Sequence, residues 1–427
     1  MKNIQTISDS YLCSSCGACY AICPKHAIAF NWSKIGRLSA SVNDNCINCG
    51  LCQKVCPSID KLNLHSHLQD RFVGNIQHVF IGKSTNESYY KNAQSGGVAT
   101  GILAYLFDKG EIDGAIVCRM EYGKTPQVHP ILIENKDDLI YTQKSCYTPV
   151  ALLKALENSF FKKSIAIVGI PCHIQGVEAL IATSNKFSNI KYKIGLICDK
   201  TECAGIQKVI KNYSKFDVFK IDWRQKYNEI TKSFNYKTAP IVAYTKEGER
   251  IEIPRHYRLA IKEMFAPPRC RICWDKLNAF SDITLGDPWK LEGIESEKGE
   301  SLIITRTSIG TEIIMSMKNE SFIDIRETDK QAPLHSQAIE IRRDLVSKYS
   351  NAFHVIPTTA DSYLLRQGSG GLSEKKYERV LLDFLKLEQC DEDQMIKIAI
   401  KNIKHNETLN YGFRYRLLRK IKRLLNF

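Results

Sequence analysis

From Val79 onward, short apolar runs and amphipathic stretches take turns along the chain, the pattern of strands alternating with helices. Val79 to Lys83 reads as a strand. The apolar-periodic helix after it ends near Lys109-Gly110, and Ala115 to Met120 is the next strand. A second unit has the same order: a strand over Ile165 to Gly169, a helix to about Ala182, and a strand over Lys191 to Cys198. Ser281 to Trp289 predicts a strand ending in a tight turn, Ser301 to Thr305 another strand, and Gly310 to Lys318 a helix. From about residue 374 the pattern is helical and polar.

Ahead of this α/β body, cysteine spacing takes over from periodicity. The chain reads Cys13-x-x-Cys16-x-x-Cys19-x-x-x-Cys23-Pro24 and then Cys46-x-x-Cys49-x-x-Cys52-x-x-x-Cys56-Pro57. Short steps let thiolates and backbone amides converge on a cubane, Gly17 and Gly50 permit the tight turns, and the prolines redirect the chain. This is the spacing of a bacterial two-cluster ferredoxin, in which the fourth cysteine of each run ligates the other cluster. One cluster would take Cys13, Cys16, Cys19 and Cys56, the other Cys46, Cys49, Cys52 and Cys23. Two structural zinc sites are the alternative, but zinc calls for a longer spacer inside each group of four. Paired clusters have one common use, moving single electrons. Residues 63–75 are polar, and their His65 and His67 read as part of a solvated linker rather than as metal ligands.

Length and charge narrow the class. The 427 residues allow about three domains. Sixteen cysteines in ligand-like spacings, behind an N-terminus with no apolar signal core, point to metal binding in a reducing cytoplasm. No apolar run approaches the about 18 residues of a membrane span. The net charge is +14 (60 basic, 46 acidic), and residues 401–427, with eight Lys/Arg and one acidic residue, hold +7 of it. The remainder is only mildly basic, which argues against a nucleic-acid surface. In the tail, Phe413, Leu417, Leu418, Ile421, Leu424 and Leu425 share one helical face flanked by arginines and lysines. Such a helix suits an anionic membrane face, or equally a terminal helix docked on its own protein.

Several features of the body carry candidate chemistry. Gln94-Ser95-Gly96-Gly97 precedes a helix, where free backbone N–H groups suit a phosphate or a flavin edge; a plain helix cap explains the same residues. Cys172 and Cys198 both fall at the C-terminal ends of expected strands, where open α/β sheets bind ligands. With Cys270 and Cys273 of Arg269-Cys270-Arg271-Ile272-Cys273 they make four ligands for a third cubane, with Cys203 competing for one position; a lone redox pair and a zinc site are the alternatives. Arg255, Arg258, Arg269 and Arg271 crowd this region, as partners of a reduced cluster or an anionic flavin or substrate, or as a solvated face. Gly368-Ser369-Gly370-Gly371 reads as a turn. There is no Gly-x-Gly-x-x-Gly fingerprint, no P-loop and no hydrolase triad.

These residues resemble the family of coenzyme F420 hydrogenase/dehydrogenase beta subunits. The chain is also similar to ferredoxin-fused F420H2 dehydrogenase subunits and to 7-hydroxymethyl chlorophyll a reductase. The resemblance rests on Gln94-Ser95-Gly96-Gly97, Ile112-Asp113-Gly114-Ala115, Val168-Gly169-Ile170-Pro171-Cys172, Gly195-Leu196-Ile197-Cys198, Arg269-Cys270-x-x-Cys273 and Asp282-Ile283-Thr284-Leu285-Gly286-Asp287-Pro288-Trp289. It implies non-covalent FAD in a non-Rossmann α/β body beside a cubane, with Ser145 and Tyr147 joining Gln94 to Gly97 at the cofactor. Bacterial relatives that lack coenzyme F420 are often found among polysaccharide-biosynthesis genes. The family usually has Gln where this chain has His173, and often Ser-Lys-Tyr where this chain has Ser145-Cys146-Tyr147. The missing lysine leaves the use of coenzyme F420 itself unsupported. His173 is a candidate proton donor at the flavin, but a satisfied structural histidine is the reading favoured over it.

The expectation is therefore an α+β/α/β chain in five parts. Residues 1–62 would be a 2×[4Fe-4S] ferredoxin-like module and 63–75 a linker. Residues 76–163 and 164–350 would be the two halves of the FAD body, and 351–427 a helical region with a basic tail. Its function would be that of an iron–sulfur flavoprotein oxidoreductase, passing electrons between [4Fe-4S] clusters and FAD. It would work with a small-molecule substrate and an electron-transfer partner, in the cytoplasm or at the inner membrane face. The competing reading is an electron-transfer adaptor without a substrate site of its own.

Overall fold

A computed structural model describes residues 3–121, 127–215, 217–237, 239–253, 255–294, 297–367, 371–372 and 374–411. The amphipathic face from Phe413 to Leu425 lies outside them, as do residues 368–370 of the glycine-rich turn.

The body is built on an eight-stranded sheet. Its spatial order is Ile323–Glu327, His78–Ser84, Ser301–Thr305, Ile283–Gly286, Ile190–Leu196, Ile165–Gly169, Gly114–Glu121 and Gln127–Ile133. The four strands from Ile283–Gly286 to Gly114–Glu121 run parallel, and the outer ones pair antiparallel. The parallel strands are buried on both faces, and so read as continuous apolar runs such as Ile165-Ala166-Ile167. Helices Val98–Asp108 and Ser308–Asn319 pack against one another and bury Ile102, Leu103, Leu106, Ile314 and Met317 with the sheet. Because the parallel strands share one direction, their C-terminal ends gather at one edge, and the residues after Gly169, Leu196 and Gly286 lie together there.

A small three-stranded sheet, Arg250–Ile253, Ile241–Tyr244 and Lys220–Asp222, forms a separate core with Trp223, Ile206 and Phe265. The N-terminal segment has a hairpin, Ile28–Trp32 with Leu38–Val42, between two short helices, Ala18–Ile22 and Leu51–Lys54. It is fused to the body: Cys16, Ala18, Cys19 and Cys52 share one buried cluster with Leu152, Leu153, Cys172, Ile272 and Trp274. Gly17 sits at that junction with φ +93, and a Cβ there would lie 3.0 Å from Leu153 N and 3.0 Å from Lys154 N. Only glycine meets both conditions at once.

The 63–75 stretch departs from a solvated linker. Phe72 is buried, and the ring of His65 pairs with Asp60 and stacks on Tyr363 at 5.5 Å. A polar sequence conceals this packing because the partner ring comes from near the far end of the chain.

Candidate functional site

The two cysteine runs fold alike. In each, a residue of positive φ (Ser15, +61; Asn48, +52) turns the loop, and its N–H donates to the first thiol, Cys13 Sγ at 3.4 Å and Cys46 Sγ at 3.5 Å. Ala27 N–H donates to Cys23 Sγ at 3.3 Å. Such N–H···S contacts stabilise thiolates around a cluster. Cys16, Cys19 and Cys52 are buried; Cys49 is exposed.

The twelve candidate cysteines fall into three sets of four. Cys13, Cys16, Cys19 and Cys56 act electrostatically on one another, and burial together with that mutual repulsion pushes the Cys56 thiol up to about 12. Cys23, Cys46, Cys49 and Cys52 line one cavity with Pro24, Ile28, Ile47 and Leu51. Cys172, Cys198, Cys270 and Cys273 form the third set, where burial and mutual repulsion raise Cys198 well above the usual thiol range. Cys203 stands outside it, fully buried in the core of the small sheet with Ile206 and Phe265. Among the described residues no three Cys, His, Asp or Glu side chains converge as a single metal ion requires. Four thiols brought together need a compensating positive centre to ionise at once, and a cubane's donor set is four thiolates, so all three quartets fit the group.

Residues that the spacing did not flag hold the third set in place. Asn278 Nδ2 donates to Gly169 O (2.9 Å) and Leu196 O (3.2 Å), tying the ends of two parallel strands to the loop that follows Cys273. Cys198 N–H donates to Lys276 O at 3.1 Å. From helix Ile339–Ala352, buried Arg342 donates to Cys273 O (2.9 Å) and Cys270 O (2.8 Å). Asparagine and arginine in polar sequence carry no signal of these roles.

The four arginines separate clearly. Arg258 makes a bidentate pair with buried Glu202 (3.1 and 2.6 Å) and lies 3.7 Å from the Tyr147 ring centroid. Arg271 pairs with Glu263 at 3.0 Å and donates to Tyr349. Arg269 is buried, its Nε and Nη2 have no hydrogen-bond partner among the described residues, and its charge acts chiefly on Cys273, Cys172 and Cys270. The side chain of Arg255 lies outside what the structure describes.

The candidate flavin loop is tied into the sheet. Ser95 Oγ donates to Glu300 O (2.6 Å), Gly96 N–H to Ser301 Oγ (3.0 Å), and Gln94 Nε2 to Ser145 O (3.3 Å). A Cβ on Gly96 would lie 2.4 Å from Gly82 O, so the loop rests directly on strand His78–Ser84. Gly97, at φ +76, caps helix Val98–Asp108. Lys226 underpins the loop, its Nζ donating to Tyr90 O (2.7 Å) and Ser95 O (2.6 Å) and lying 3.8 Å from the Tyr90 ring centroid. Burial and the charge of Arg224 push Lys226 down to about 7, against the pull of the Asp287 carboxylate.

Arg224 is the clearest unassigned donor nearby. It is buried, its Nη1 donates to Asp287 Oδ2 at 2.7 Å, and its guanidinium stands 5.2 Å from the Tyr236 and Trp289 ring centroids. Its Nε and Nη2, and Trp223 Nε1, are buried without a partner among the described residues. Trp223 in turn packs edge-on against Tyr147 at 6.1 Å. Orphaned donors on a buried cation suit an anionic group such as the diphosphate of FAD. Lys144, one position before Ser145, pairs with Asp222 at 2.6 Å.

His173 takes the satisfied structural role. Its Nδ1 accepts from Ile170 N–H (3.4 Å) at the start of helix Pro171–Thr183, and its Nε2 donates to Val150 O (3.2 Å). Burial pushes its pKa down to about 4. With both nitrogens occupied, its one proton near neutrality is committed to Val150 O.

Residues 12–59 match the 4Fe-4S dicluster domain. Residues 79–157 match the N-terminal part, and residues 162–331 the C terminus, of the beta subunit of coenzyme F420 hydrogenase/dehydrogenase. One subunit of the F(420)H(2) dehydrogenase of Methanosarcina mazei is 27% identical over 346 residues, covering 78% of this chain and 89% of that one. Coenzyme F420-dependent sulfite reductase of Methanocaldococcus jannaschii is 27% identical over 366 residues, 80% of this chain; the chain spans only about half of that protein (52%). A chain of the F420-reducing [NiFe] hydrogenase complex from Methanosarcina barkeri shares the fold, with a TM-score of 0.52 over 66% of this chain and 94% of that chain at 22% identity.

Proposed function

Because the chain belongs to the family of coenzyme F420 hydrogenase/dehydrogenase beta subunits, we propose that it is an iron–sulfur flavoprotein oxidoreductase. Its sixteen cysteines include three cubane quartets arranged as one series. One observation carries this reading: Cys172 of the inner quartet touches the loop of the Cys13 quartet, with Sγ 3.9 Å from Ser14 O. The Cys46 quartet, with exposed Cys49, is the entry side, and the C-terminal edge of the sheet the inner end. Bound cubanes would supply one-electron exchange, and FAD the conversion between a hydride and single electrons. The chain's own part is to hold them. Arg224 and Trp223 present donors to the anionic part of the cofactor, Tyr147 and Lys226 shape its surroundings, and the apolar shell of Ile272, Trp274 and Leu277 excludes water from the inner quartet. The electron donor is a reduced carrier or partner protein that docks beside Cys49, as the multi-subunit character of its relatives suggests. Polysaccharide biosynthesis is the setting that the resemblance favours.

The adaptor reading has one observation on its side: Ser95 and Gly96 already spend their donors inside the protein. Anaerobic purification with iron, sulfide and flavin quantitation decides. About twelve irons and one FAD per chain are expected from three cubanes and one flavin site. Twelve irons without flavin would leave the adaptor.

A further inference from the structure

A buried guanidinium is costly unless something negative adjoins it. Arg258 and Arg271 meet that need with carboxylates, Glu202 and Glu263. Arg269 has no carboxylate within ion-pair distance among the described residues, and two of its nitrogens lack any hydrogen-bond partner there. The groups its charge reaches are thiols of two quartets and the Tyr363 hydroxyl. Its charge acts on Cys16 and Cys56 of the Cys13 quartet, and on Cys172, Cys270 and Cys273 of the inner one. Both sets meet in the same buried core, where Leu153 N–H donates to Cys16 O at 3.0 Å and Cys172 adjoins Ser14.

We propose that Arg269 is a shared positive bridge between two iron–sulfur clusters, one held by the Cys13 quartet and one by the Cys172 quartet, and that it raises the reduction potential of both. The inference rests on the three-cluster reading above. A cubane in four thiolates is an anion, and each gained electron adds negative charge, so a fixed cation between two of them favours the reduced form of each. Nitrogens without protein partners are free to donate to cluster or thiolate sulfur, which acts in the same direction. No bond is made or broken and no proton moves: one electron, supplied by a reduced carrier, leaves one cluster as it enters the other. Arg269 is a positioning residue and contacts no substrate.

The test is a dithionite titration through mediators, followed by EPR, of the anaerobically purified full chain and its Arg269→Gln and Arg269→Lys variants, with iron quantified in each. In Arg269→Gln, two of three midpoints should shift to more negative values while that of the Cys46 cluster stays. In Arg269→Lys, a single ammonium cannot serve both sides, so one of those two midpoints should fall and the other hold. Should Arg269→Gln lose iron, the Lys variant alone decides by the same criterion. Unmoved midpoints, equal movement of all three, or iron loss in both variants would overturn the bridge while leaving the three-cluster reading intact. A wild-type chain with about eight irons and two cluster signals would overturn both.

Discussion

Cys172 Sγ lies 3.9 Å from the backbone oxygen of Ser14, placing a residue at the C-terminal edge of the parallel sheet against the first cysteine loop of the chain. This contact joins the N-terminal cysteine segment to the body chemically as well as by packing. On the proposed three-cluster reading, it sets the Cys172 quartet beside that of Cys13.

Replacing Cys172 should therefore remove one cluster and spare two. Cys172→Ala is expected to lower iron from about twelve to about eight per chain, with the two ferredoxin-type signals intact. Cys203→Ala is the control. Its thiol is buried in the apolar core of the small sheet and, of the quartet, feels the charge of Cys270, so the loss of this non-ligand should leave iron content unchanged. Iron and sulfide quantitation with EPR reads both variants, and iron loss in Cys203→Ala would reassign the ligand.

The junction itself is testable at Gly17. Alanine there meets a φ of +93 and two backbone nitrogens at 3.0 Å. Gly248 has φ +89 and nothing within 4 Å, so Gly248→Ala carries backbone strain alone. Strain of this kind costs about 1–3 kcal/mol. Gly17→Ala should cost more than Gly248→Ala and lower the Tm further in an anaerobic melt of the full chain. Equal Tm shifts would mean that the segment boundary yields freely.

Much of this architecture was legible because its signals are local. Cysteine spacing marks the two ferredoxin-type loops, and apolar runs such as Ile165 to Gly169 mark buried parallel strands. What escaped is non-local. Arg224 and Lys226 sit in a polar stretch that any solvated segment would match, and only the approach of Asp287, Tyr90 and Ser95 gives them a role. Arg342 holds the Cys270–Cys273 loop from a helix whose sequence says only that it is amphipathic. His173 leaves two readings in sequence, a proton donor and a satisfied structural histidine, and its ring is spent on a helix start and on Val150, as the second requires.

That assignment predicts a pH dependence of stability and not of catalysis. The pKa of His173 is about 4 in the fold against 6.5 for the free side chain, so between these values the unfolded chain binds the extra proton. Stability from this residue is complete above about pH 6.5 and falls as pH drops toward 4, by on the order of 3 kcal/mol at most. His173→Gln should flatten that acid limb in thermal melts from pH 7 to 4.5. Flavin reduction by a chemical donor at pH 7 should stay within about twofold. A tenfold slower reduction would restore His173 as a proton donor.

The cofactor side of the proposal turns on Arg224. A hydrogen bond to a charged group contributes about 1.5–3 kcal/mol, which corresponds to roughly a 10- to 150-fold change in affinity. Arg224→Met removes the orphaned donors and should weaken FAD retention by that factor, with iron unchanged at about twelve, since Arg224 touches no quartet. Losing the guanidinium also leaves Asp287 with Tyr236 as its remaining partner, at 2.9 Å, so destabilisation must be separated from lost binding. Asp287→Asn makes that separation. It removes the carboxylate, keeps the cation, and leaves Arg224 in greater need of an anion, so FAD should be held as tightly as in the wild type or tighter. Flavin fluorescence after anaerobic desalting reads both variants. If Arg224→Met keeps its FAD while Asp287→Asn loses it, the buried cation is a structural partner of Asp287, and the flavin must be sought elsewhere along the sheet edge.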